Sequence, residues 1–154
     1  MSDQTAKYLV TGASGQLGNL VLADLVEKVS AQNVVALVRR SKSAAPLEAL
    51  NIEVRIGDYD DPASLETAFQ GIDRLLLISA SEVGKRATQH KNAIDAANSA
   101  GVGFLAYTSI LRPDNTPIGR AAEHRATSAS AALEAAYARE ESDEFVLPSV
   151  ICGE

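Results

Sequence analysis

Short apolar runs alternate along the chain with longer stretches in which apolar positions recur every three or four residues. Tyr8–Thr11, Val34–Val38, Ile52–Ile56, Leu75–Ile78, Phe104–Tyr107 and Phe145–Leu147 read as buried strands. After the first of them, Leu17, Leu20, Val21, Asp24, Leu25 and Lys28 fall at helical spacing, with Gly15 and Gln16 opening the helix. Asp60-Asp61-Pro62 predicts another helix, with Asp61 as N-cap, Pro62 at the first helical position and an end near Gly71. A longer helix is expected from about Gly84 to Ala100, stopped by Gly101. From Ala121 to Ala138, nine of eighteen residues are alanine, which predicts a helix with a small-residue face, the alternative being a floppy tail.

Strand-helix-strand alternation with continuous apolar strands implies an α/β fold whose parallel sheet is covered on both faces. Right-handed crossovers leave few topologies. Six strands suit a complete doubly wound (Rossmann) sheet in the order 3-2-1-4-5-6. The chain has 154 residues, no internal repeat and no evident linker, so one domain is expected over residues 1–154.

The loop after the first strand carries the most chemistry. Thr11-Gly12-Ala13-Ser14-Gly15-Gln16-Leu17-Gly18 has the spacing G-x-x-G-x-x-G and sits between a strand and a helix. Gly12 permits a tight turn, Gly15 lets a pyrophosphate approach the backbone, and Gly18 allows close packing of helix on strand. Ser14, Gln16 and Leu17 complete the cradle, where free N–H groups at the helix start face phosphates. A plain glycine turn is the alternative.

The second strand ends Leu37-Val38-Arg39-Arg40, with Arg39 twenty-one residues after Gly18. A site for NAD usually places Asp or Glu here, to hold the ribose 2′-hydroxyl. Two guanidinium groups stand there instead, matching a 2′-phosphate in charge and fork geometry, and Lys42 is near enough in sequence to join them. NADP(H) is therefore expected over NAD(H), the alternative being two solvated arginines at a strand end. Asp58, after the third strand, suits either the adenine side of such a site or a turn.

Together with Gly57-Asp58-Tyr59, the stretches Leu75–Arg86 (LLLISASEVGKR) and Gly101–Gly119 (GVGFLAYTSILRPDNTPIG) resemble the atypical short-chain dehydrogenase/reductases. Within them the likeness is to the NmrA-like proteins, and to the NAD(P)H:quinone oxidoreductases of type 2 in particular. It runs from about Lys7 to His124. The resemblance implies that Asp58 and Tyr59 lie by the adenine, and that Ser79, Ala80 and Ser81 line the nicotinamide ribose. Thr108 and Ser109 would then sit near the nicotinamide. For Ser79 and Ser109, capping of backbone groups at strand ends is the alternative.

Departures are equally informative. The Tyr-x-x-x-Lys pair of many dehydrogenases in this superfamily is absent: Gly12, Ala63, Leu111 and Glu141 follow the four tyrosines at that spacing. No catalytic residue is assigned, and quinone reduction does not need the pair, since a quinone can take its proton from water. Past His124 the likeness to the quinone reductases fades, with Thr127-Ser128-Ala129 where Thr-Glu-Lys is expected. Phe145–Gly153 looks more like the sixth strand of extended members, and the sequence reaches Glu154 where a substrate-binding part would begin. On this reading the chain lacks a separate substrate domain, so quinone would meet an open nicotinamide face unless a homo-oligomer rebuilt the wall.

The remaining residues narrow the field. Fourteen Lys and Arg against twenty Asp and Glu leave a net charge of −6, which argues against nucleic acid or an anionic membrane as partner. No apolar stretch approaches the ~20 residues of a membrane span. Met1–Thr5 lack a signal peptide's basic start, and the single Cys152 fits a reducing compartment, so a cytoplasmic protein is expected. His90 and His124 have no partner at metal-ligand spacing and read as structural or solvated, with no metal expected. The function implied is an NADPH-binding domain of an oxidoreductase that passes hydride to a small molecule such as a quinone. A non-catalytic NADP-binding regulator and a shortened homologue that keeps binding without efficient turnover are the rivals.

Overall fold

The structure, a computed structural model, describes residues 6–110 and 122–128, and the backbone alone of residues 150–152. Six parallel strands form one sheet: β1 (Tyr8–Val10), β2 (Val34–Val38), β3 (Glu53–Ile56), β4 (Arg74–Leu77), β5 (Phe104–Ser109) and β6 (Val150–Cys152). Their order is β3-β2-β1-β4-β5-β6, the doubly wound order expected from the sequence. The crossovers carry α1 (Gln16–Lys28), the short α2 (Ala45–Glu48), α3 (Pro62–Ala68) and α4 (Arg86–Ser99), and residues 122–128 are helical. The short α2 carries no periodic signal and was not expected, since one turn is too brief to show one.

Strand parity sorts the core into two layers. Leu9, Val35, Leu37, Leu75 and Leu77 point to the face covered by α3 and α4, where they meet Leu65, Phe69, Ala93, Ile94 and Ala97. Val10, Val34, Ala36 and Val38 point to the other face and pack with Leu22 of α1 and Leu47 of α2. β2 is buried throughout, which is why its sequence is an unbroken apolar run.

One strand expectation needs correction. β3 is an edge strand, with Glu53 and Ile56 exposed, so it is not the buried strand that its apolar residues suggested. Its polar positions serve that edge: Arg55 donates to the carbonyls of Ala68 (2.6 Å) and Gln70 (2.7 Å) at the end of α3, and Glu53 pairs with Lys7 (2.8 Å) and Arg55 (2.6 Å). Those partners hold the Glu53 carboxyl below its ordinary pKa, the Arg55 hydrogen bond most of all. The sixth strand pairs through Val150–Cys152, within the stretch Phe145–Gly153 expected to hold it, and the run Phe145–Leu147 lies outside the described residues.

The expected start and end of α3 are both present. Asp61 caps α3, its carboxylate accepting from the Ser64 N–H at 3.3 Å, and Gly71 turns the chain away at φ +70°. Of the alanine-rich stretch 121–138, residues 122–128 are helical and the others lie outside the described residues.

Candidate functional site

Beyond β1 the chain turns at Gly12, whose φ of +59° is left-handed backbone that suits glycine. The Ala13 N–H donates to the Leu37 carbonyl (3.2 Å) and the Gly15 N–H to the Gly12 carbonyl (3.0 Å). α1 then starts at Gln16 with Gly15 as N-cap and no side chain capping it, which leaves the positive end of the helix available to an anion. A Cβ on Gly18 would stand 2.3 Å from the Gly12 carbonyl oxygen and 2.7 Å from the Ala13 Cα. Gly18 thus lets the helix close on its own loop, rather than on the strand as its spacing suggested. At Gly15 the corresponding approach is 3.3 Å, also to the Gly12 oxygen.

A cavity of about 330 Å³ opens at the carboxyl ends of β1 to β4. It sits where the connections from β1 and β4 run to opposite sides, the switch point at which doubly wound sheets take ligands. Gly12, Ser14, Gly15, Arg39, Asp58, Tyr59, Ser79, Ala80 and Ser81, all singled out from the sequence, line it. Gln16, Leu17 and Gly18 stand on α1 outside this lining, as do Thr108 and Ser109 on β5. Thr108 acts one step back, its Oγ1 accepting the Ser79 N–H at 2.8 Å.

Two lining residues also have structural work. Asp58 accepts the Asp60 N–H at 3.0 Å and so builds the turn it was suspected of forming, while still lining the cavity. The Tyr59 hydroxyl reaches inward, donating to Thr11 Oγ1 (2.5 Å) and lying 2.9 Å from the Ile78 carbonyl oxygen. Burial pushes its pKa well above the ordinary tyrosine value. Tyr107 is also raised by burial, and its hydroxyl lies 2.5 Å from His124 Nδ1. Neither phenol is poised to release a proton at neutral pH.

Sequence reasoning missed several side chains. Thr11, fully buried, accepts the Ile78 N–H at 2.8 Å and so ties the ends of β1 and β4 together. Arg86 donates to the Ala80 carbonyl (2.6 Å) and pairs with Glu123 (2.8 Å), while His90 takes the Ala80 N–H. Glu82 and Gln89 line the cavity. Their roles show only in the fold, because these contacts join residues on different elements.

A profile of the family described as NAD(P)H-binding matches residues 12–145. The chain belongs to the NAD(P)H-binding family. Among relatives, it is 53% identical to quinone oxidoreductase 2 of Escherichia coli K12 over 115 residues, covering 75% of this chain and 40% of that protein. A crystal structure of an E. coli NADPH-dependent quinone oxidoreductase complexed with NADPH superposes with a TM-score of 0.80. That match has 50% identity and covers 82% of this chain and 45% of that one. Triphenylmethane reductase of Citrobacter sp., complexed with NADP(H), superposes at 0.81 with 39% identity, over 83% and 46% of the two chains. This NAD(P)H-binding chain thus spans less than half the length of these relatives.

The residues present fit a dinucleotide. Gly12, Ser14 and Gly15 line the cavity beside the uncapped start of α1, and Arg39 brings a cation to the β2 end of the same cavity. Among the described residues, no helix is long and apolar enough to cross a membrane.

Proposed function

We propose that this chain is the NADPH-binding domain of an oxidoreductase that passes hydride to a quinone. The observation that carries the reading is one cavity lined by both the Gly12–Gly15 loop and Arg39, at the switch point of the sheet. Gly12, Ser14 and Gly15, with the amides of Gln16, Leu17 and Gly18 behind them, would hold the pyrophosphate, and Arg39 the 2′-phosphate. Asp58 and Tyr59 would border the adenine, and Ser79, Ala80 and Ser81 the nicotinamide ribose. Thr108 would act through Ser79, and Ser109 from the neighbouring strand end. Similarity to quinone oxidoreductase 2 supports the choice of acceptor.

The bound cofactor supplies the hydride. What this chain contributes is binding and orientation, with water as the proton source for the reduced quinone. Residues 1–154 form a single cofactor domain on this reading, and the lone cysteine suits a reducing, cytoplasmic setting. NADPH oxidation measured with and without a quinone tests the activity, and titration with NADPH tests the binding beneath it.

A second reading, a regulator that binds NADPH without turning it over, is permitted by the missing Tyr-x-x-x-Lys pair and the inward Tyr59 and Tyr107 hydroxyls. Tight NADPH binding with no quinone-dependent oxidation would select it.

A further inference from the structure

The end of β2 lacks an acidic residue in sequence, yet the fold brings one there. Glu82, in the loop between β4 and α4, sets its Oε1 3.3 Å from Nη1 of Arg39, and both residues line the cavity. Its other carboxylate oxygen lies 3.3 Å from Lys85 Nζ. The Arg39 and Glu82 side chains keep 53% and 38% of their surface exposed, so the pair stands at the cavity mouth in contact with water. Exposed pairs of this kind are weak, within about fivefold in an equilibrium, so an incoming anion can open it.

We propose that Glu82 is a cofactor-specificity residue that tempers the preference Arg39 creates. The proposal rests on the reading of this cavity as the NADPH site. A 2′-phosphate carries about two negative charges at neutral pH. To reach Arg39 it must break the Arg39–Glu82 pair and then stand near the released carboxylate. A 2′-hydroxyl suffers neither penalty and can donate to a carboxylate, which is the service an acid after β2 performs in sites that take NAD. The site therefore holds the selective group for each cofactor, a guanidinium at the end of β2 and a carboxylate delivered from the loop after β4. Selectivity is the difference between the two, and Glu82 moves it toward NADH.

The test is a titration of purified wild type and Glu82→Gln with NADPH and with NADH, followed by nicotinamide fluorescence. The substituted side chain is partly exposed and keeps its size, so an unchanged melting temperature is expected. Glu82→Gln should bind NADPH roughly threefold to tenfold tighter and NADH no tighter, with the gain shrinking at high salt. An unchanged or smaller NADPH-to-NADH affinity ratio in Glu82→Gln would overturn the proposal, since Glu82 would then be a bystander or would orient Arg39 for phosphate. Failure of the wild type to bind either cofactor is a different result, and would reject the reading of the cavity itself.

Discussion

The backbone N–H of Ala80 donates to Nε2 of His90 at 2.8 Å, so a residue of the cavity wall hangs on a fully buried imidazole. Accepting at Nε2 requires that ring nitrogen to be bare, and the proton therefore sits on Nδ1, 2.9 Å from Thr127 Oγ1. Thr127 in turn donates to the Glu123 carbonyl at 2.9 Å. With Arg86 holding the Ala80 carbonyl and pairing with Glu123, both backbone polar groups of Ala80, on successive peptide links, are tied to the helical residues 122–128. The wall facing the proposed nicotinamide ribose is thus set by side chains on α4 and beyond.

This arrangement makes stability depend on pH through His90. Burial, reinforced by Arg86 and His124, lowers its pKa from 6.5 to about 3. The folded state therefore binds fewer protons than the unfolded state between those values. His90's contribution is fully present above pH 6.5 and is lost progressively as pH falls toward 3. In urea titrations, wild type should lose stability more steeply than His90→Gln across that window. Parallel pH profiles for the two proteins would show that His90 is not held neutral.

Gly18 should tolerate even alanine poorly. A Cβ there collides with backbone at 2.3 Å, and no flexible side chain can yield. Gly18→Ala is expected to destabilise by ~1–3 kcal/mol and to weaken NADPH binding, because the loop must move. Gly15→Ala, with a closest approach of 3.3 Å, should cost less in thermal stability. Calorimetry on the two variants checks the order, and equal melting temperatures would contradict the packing described.

Arg39→Ala should act on affinity and leave stability alone, since the side chain is more than half exposed. Charge-assisted hydrogen bonds contribute ~1.5–3 kcal/mol, so NADPH should bind roughly ten- to a hundredfold more weakly while NADH changes little. Equilibrium titration with both cofactors measures this, and a proportional loss for both would remove Arg39 from the 2′-phosphate.

Thr11→Val keeps the shape of a buried side chain and deletes the oxygen that accepts from Ile78. An unpaired buried N–H costs about 1–3 kcal/mol. Thr11→Ser should recover most of that loss in denaturant unfolding, because the hydroxyl returns. Loss of similar size in both variants would assign the effect to the methyl group.

The sheet order, the two covered faces and the glycine loop were legible in the sequence because each follows from local regularities. Parity along Val34–Val38, the Asp61–Pro62 helix start and the strand-loop-helix setting of Gly12–Gly18 all rest on neighbours within a few residues. Tertiary structure decided the rest. The partners of the polar residues on β3, Arg55 with the Ala68 and Gln70 carbonyls and Glu53 with Lys7, come from other elements, and short-range pattern carries no such information. The meetings of Arg39 with Glu82 and of Ala80 with His90 and Arg86 join residues on different elements or successive turns, once the strands are in register. Hydrophobic periodicity specifies which face of an element is buried. It leaves open which polar side chains will find each other at the sheet's carboxyl edge, because those contacts exist only after the crossovers have packed.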